Sequence, residues 1–261
     1  MKILLIYFIT IFLSNTVGAL SGMGGGVIIK PALDFIGYHS LSSIAFYSSV
    51  AVFTMSISST YKQYQNGIKI ELKKAVSISL GSLLGGVLGD HLLSFALSVA
   101  PQQATVQAIQ YIIMLLTLIL VLLYNRLVSF HLSLQSISTF FLIGILLGTL
   151  STFLGIGGGP INVACLIFFF GMEIKSATVY SIITIFFSQL AKLFSIGTST
   201  GFGAFDLSVL WVIIPAALLG GYFGGFLSKK LTDQRVTQLY NCVISLVILL
   251  NLYNLYRVIG G

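Results

Sequence analysis

Apolar runs of about 20 residues follow one another along this chain, at roughly 3–21, 41–61, 75–97, 104–125, 136–155, 176–196, 206–228 and 237–257. A helix rises 1.5 Å per residue, so roughly 20 apolar residues cross a bilayer core about 30 Å thick. Only 7% of the residues are charged, against roughly 25% in a soluble domain. Such a surface suits the lipid bilayer and not water. A β-barrel would show short alternating segments, and none is visible. The sequence therefore predicts an all-α, polytopic integral membrane protein. No polar tract is long enough to form a soluble domain, which argues against a receptor or a tethered enzyme.

Two shorter apolar pieces, about 26–37 and 160–171, bring the expected set to eight long and two short or broken helices. Each short piece follows a glycine break: Gly22-Met23-Gly24-Gly25-Gly26-Val27, and again Gly155-Ile156-Gly157-Gly158-Gly159-Pro160. Consecutive glycines are costly inside a helix. The copies lie 133 residues apart, and the same offset pairs Phe8 with Phe141, Leu33 with Leu166 and Phe53 with Phe186. Farther on, an offset of 135 pairs Leu83-Leu84-Gly85-Gly86 with Leu218-Leu219-Gly220-Gly221. The chain divides into two repeats, 1–127 and 133–261. Lys2 and the apolar run after it imitate a signal peptide, but this segment has an internal counterpart at 136–155, which a signal peptide would lack.

Charge gives the orientation of the halves. The loop at 62–74 carries Lys62, Lys69, Lys73 and Lys74, and its counterpart near 195–205 carries no basic residue. The loop at 98–103 is uncharged, and its counterpart at 229–235 carries Lys229, Lys230 and Arg235. Under the positive-inside rule the halves are inverted. Each then needs an odd number of crossings. Five segments fit, each short piece being a crossing or half of a broken hairpin. The loops at 62–74 and 229–235, Arg126 and Lys175 are expected in the cytoplasm and both termini outside, with Lys2 and Arg257 against the rule. The expected location is the cytoplasmic (inner) membrane.

A helix that restarts after a break presents N–H groups without partners and the positive end of its dipole. Within a bilayer an anion can satisfy them. Candidate substrate-binding residues are Gly24, Gly25 and Gly26 at the first break, and Gly157, Gly158, Gly159, Pro160 and Asn162 at the second. Pro160 suits a first helical position, and Asn162 adds an amide. Close helix approach alone could also explain the glycines, but two matched copies of opposite topology favour a substrate site. Tyr47, Ser48, Tyr180 and Ser181 supply hydroxyls at matching positions in the two halves. They can donate to an anion or bond the preceding turn. Lys192, with Gln189 one turn earlier, is a cation inside a span: either a substrate partner or a side chain reaching to the interface. Asp90-His91 could carry protons, but Asp90 has Gly225 as its counterpart, and an interfacial position is favoured. Gly81, Gly85 and Gly89, with Gly220, Gly221, Gly224 and Gly225, have the spacing of close helix packing.

The glycine motif, once in each half, resembles that of the sulfite exporter TauE/SafE family. Tyr47-Ser48, Tyr180-Ser181 and the two Leu-Leu-Gly-Gly stretches belong to the same likeness, which covers nearly the whole chain. The first motif has Val27 where the second has Pro160. The resemblance implies a membrane exporter of sulfite or organosulfur anions such as sulfonates. The helix-terminus argument by itself supports only a small anionic substrate.

The net charge of +7 comes from scattered loop residues, with no aromatic-basic groove for nucleic acid. Nucleotide, zinc and nucleophile-elbow motifs are missing, so no enzyme and no cofactor or metal is expected. Cys165 and Cys242 are read as packing residues. The sequence leaves open whether the protein forms a homo-oligomer. The alternatives to a carrier are a passive anion channel, disfavoured by the few polar residues in the spans, and an intramembrane enzyme, for which no convergent set of acid, base and nucleophile is visible.

Overall fold

The computed structural model describes residues 2–68, 70–127, 130–156 and 158–260. Lys69, Gly157 and the side chain of Arg126 lie outside the described residues. Ten α-helices follow in order: α1 (Lys2–Ser21), α2 (Gly26–Ile36), α3 (Leu41–Gln65), α4 (Leu72–Val99), α5 (Gln103–Leu127), α6 (Ile137–Phe153), α7 (Pro160–Phe170), α8 (Ile174–Thr198), α9 (Leu210–Lys230) and α10 (Asp233–Gly260). Two 3₁₀ turns precede α9, and the described residues contain no strand. Seven helices are long and apolar enough to cross a membrane; α6 and α7 are apolar but shorter. The expected eighth long span, α6, reaches only 17 residues because it ends at Phe153, just before the glycine break.

The same order of elements occurs twice. Helices α2 and α7 each have 11 residues, and α3 and α8 each have 25. Both short helices stop at a glycine in the left-handed conformation, Gly37 (φ 68°) and Gly171 (φ 62°). In each, that glycine's N–H returns to the carbonyl four residues back, which closes the last turn. Proline opens α7 as expected, while α2 restarts at Gly26 without one.

Hydrogen bonds and ring contacts sort the helix ends into two faces. On one face Tyr7 bonds His39, Tyr47 bonds the carbonyl of Asp206, and Phe46 stacks on Phe205. Gln107 and Arg257 line a cavity with His39 there, so both chain termini share this face. On the other face Tyr180 meets Glu71, Lys74 meets Gln135, Asn66 meets Gly225, and Lys175 pairs with Asp233. Lys62, Lys73, Lys74, Lys175, Lys229, Lys230 and Arg235 all belong to this second, basic face.

It follows that α1 and α2 form a helical hairpin. Tyr7 near the start of α1 touches His39 after α2, while Gly18 and Asn15 meet Gly24 and Gly25 at the tip. Although α1 is long enough to cross, its last turn lies beside Gly224, short of the end of α9. In the second half, Phe140 at the start of α6 stacks on Phe170 at the end of α7, with ring centroids 3.7 Å apart. The hairpin α6–α7 therefore opens on the basic face and α1–α2 on the terminus face. Helices α3, α4, α5, α8, α9 and α10 run from face to face.

Packing swaps the halves. Helix α1 lies along α9 and α6 along α4, while α3 also packs on α9 and α8 on α4. A Cβ at Gly89 would lie 2.5 Å from the carbonyl oxygen of Thr149, and one at Gly220 2.7 Å from that of Phe12. Gly221 faces Met55 and Gly86 faces Ser188 in the same way, on α3 and α8. Lipid tails are as apolar as leucine, so close approach over small residues holds such helices together. Single cysteines placed at Gln65 and at Thr232 are both expected to react with an impermeant maleimide from the same side of the membrane. Reaction from opposite sides would overturn this arrangement.

Candidate functional site

The tips of the two hairpins touch. Gly26 packs against the Ile156 carbonyl so closely that any Cβ there would collide with it. Gly22 lies against Thr178 of α8, and the Ser181 hydroxyl donates to the Gly22 carbonyl. The matched glycines Gly22 (φ 75°) and Gly155 (φ 67°) both hold the left-handed conformation that reverses the chain.

A cavity of about 180 Å³ runs from the terminus face to this junction. Leu41, Leu97, Ser199, Thr200 and Phe205 line its mouth, and Asp90 its wall; Lys30, Gln110, Gly155 and Lys192 line its inner end. Lys192 is 2% exposed and its Nζ has no hydrogen-bond partner among the described residues. It does not extend to the interface; it is an unpaired amine inside the bundle. Gln189, one turn earlier, reaches Ser151 and Ser188 through Nε2 and leaves Oε1 unpartnered.

Lys30 was not anticipated as a site residue. It is 3% exposed, and its Nζ donates to Gln110 Oε1 at 2.7 Å and to the Leu154 carbonyl at 2.9 Å. Gln110 Nε2 donates in turn to the Phe153 carbonyl at 2.7 Å. An amine and an amide thus satisfy the final carbonyls of α6, the negative end of its dipole. The sequence held the signal, a lysine four residues after Gly26 in an apolar piece. Asp90 was expected at the interface. Instead its carboxylate accepts from Ser195 and faces the cavity, while His91 is exposed.

The remaining predicted residues separate into two groups. Gly24, Gly25, Gly26, Gly158, Gly159, Pro160 and Asn162 stand at the junction of the tips. The Asn162 amide, the Ser48 hydroxyl and the Thr152 hydroxyl are buried without hydrogen-bond partners among the described residues. The Pro160 carbonyl is taken by the Tyr240 hydroxyl. The tyrosines do not converge on the junction: the Tyr47 hydroxyl binds the Asp206 carbonyl on one face, and Tyr180 binds the Glu71 backbone on the other.

Six face-to-face helices around two opposed hairpins, with a cationic cavity at their tips, make a polytopic α-helical membrane protein. Residues 7–252 match the family model described as Sulfite exporter TauE/SafE, and the chain belongs to that family. No curated protein and no solved structure matches it.

Proposed function

We propose that this protein exports a small sulfur anion, sulfite or an organosulfur compound such as a sulfonate, by alternating access around the two glycine breaks. Family membership supports the sulfur chemistry. The observation that carries the anion reading is the unpartnered, buried Lys192 amine, which faces a cavity ending at the junction of the tips. The halves 1–127 and 133–261 would act as inverted repeats, one hairpin guarding each side. By the positive-inside rule the basic face is cytoplasmic, and the cavity then opens outward.

A carrier fits better than a channel because the cavity opens on one face only. On the other, the Phe140–Phe170 stack and the Tyr180–Glu71 and Lys74–Gln135 bonds close the bundle. In proteoliposomes holding the full chain, radiolabelled sulfite, methanesulfonate or thiosulfate is expected to show saturable counterflow. Linear, non-saturating flux would favour a channel, and no flux with any of the three would sink the proposal.

A further inference from the structure

Among the described residues, four Lys and Asp side chains line the interior cavities: Lys30, buried, and Asp34, half-buried, on α2, Asp90, half-buried, on α4 and Lys192, buried, on α8. An uncompensated charge inside a membrane span is costly, so such residues pair or balance one another. These four balance in number, yet none forms an ion pair with another. Among the described residues the ion pairs within 4.0 Å are Lys74–Glu71 and Lys175–Asp233, both on the basic face. The interior is therefore neutral before an anion arrives. An anion adds a charge that no side chain offsets, and a proton on one of the two carboxylates would offset it.

Asp34 is placed to take that proton. Asp90 stands in the anion cavity itself and is held by Ser195. Asp34 lines a second cavity on the terminus face, of about 220 Å³, with His39, Gln107, Tyr111 and Arg257. Its Oδ2 accepts the Tyr111 hydroxyl at 2.7 Å. Tyr111 is the neighbour of Gln110 on α5, which holds Lys30, and Lys30 lies one turn before Asp34 on the same face of α2. One cavity thus ends on Lys30 and the other on Asp34, with a single helical turn between them. The charged and titratable groups facing Asp34 are Lys30 on its own helix, His39 in the following loop, Tyr111 on α5 and Arg257 on α10.

We propose that Asp34 is the proton-binding residue of this transporter, loaded from the second cavity, and that proton and anion are carried together. With Asp34 ionised, its charge compensates Lys30. With Asp34 protonated, the Lys30 charge is available to the anion. One proton binds per anionic charge and leaves when the anion leaves, so the step is electroneutral. Direction then follows the combined gradients, and an anion accumulated in the cell takes its proton out with it. This inference rests on the anion-transport reading above.

The test uses the full chain in proteoliposomes and methanesulfonate, which stays ionised across the neutral range. Acidifying the outside by one pH unit should drive accumulation toward tenfold, the ratio that one coupled proton supplies. Asp34→Asn should lose this accumulation, while Asp34→Glu restores it. Wild-type counterflow without pH-driven accumulation, or full accumulation by Asp34→Asn, overturns the proposal. Absence of counterflow in the wild type fails the transport reading instead. Infrared difference spectra then still decide: a protonated carboxyl band on acidification, present in wild type and missing in Asp34→Asn, is expected, and identical spectra overturn the proposal.

Discussion

Lys192→Met is expected to lower anion transport about thirtyfold or more while the protein remains folded in the membrane. Two facts set this expectation. The Lys192 amine has no hydrogen-bond partner among the described residues, so no bond between them is lost when it is removed. The bound anion loses a desolvated cationic partner, a change worth about 2–5 kcal/mol at buried charge pairs, or roughly thirtyfold to several thousandfold in affinity. Lys30→Met should behave differently. It leaves the Leu154 carbonyl and Gln110 Oε1 unpaired at the end of α6, at a stability cost of about 1–3 kcal/mol. Thermal unfolding in detergent should therefore separate the two variants, with Lys30→Met at the lower midpoint. Wild-type transport by Lys192→Met would remove the amine from the site.

Much of the architecture was legible in the sequence because bilayer thickness leaves few choices. Apolar runs of spanning length had to be helices, and two short pieces behind glycine breaks had to be something else. The sequence did not decide whether each short piece crosses or turns back, because a reversal depends on contacts such as Tyr7–His39 and Phe140–Phe170, between residues about thirty positions apart. The site was less legible, and symmetry misled in both directions. Tyr47 and Tyr180 occupy matching positions, but each lies near the start of its helix, about 9 Å along it at 1.5 Å per residue. In opposed repeats such positions lie on opposite faces, and only residues near the midplane converge, as Gly26 and Ile156 do. Conversely, Lys30 and Asp90 have the counterparts Val163 and Gly225, so a search for matched polar residues passes over them. The charged and amide side chains of the cationic cavity, Lys30, Asp90, Gln110 and Lys192, come from α2, α4, α5 and α8 and have no matched set in the other half.

Gly158→Val is expected to abolish transport while the protein still reaches the membrane. Gly158 has φ 109°, a conformation that L side chains rarely adopt, and a new Cβ would run into the Ile185 side chain of α8. Strain of this kind costs about 1–3 kcal/mol and overpacking about as much again. A protein stable by roughly 5–15 kcal/mol survives that loss. The damage falls on the tip of the second hairpin, where Gly158 also adjoins the unpartnered Asn162 amide and where α7 begins at Pro160. A displaced tip moves the first N–H groups of α7, the positive end of its dipole, away from the junction with α2. Gly67→Ala is the control: φ there is 82° with nothing within 4 Å of a new Cβ, in a loop on the basic face, so it adds strain without collision. Gly67→Ala should lose roughly 1 kcal/mol of stability and keep its transport. Counterflow measured beside membrane abundance separates the variants. If Gly158→Val transports normally, the second break serves only to let helices pack, and the anion binds elsewhere along the cavity.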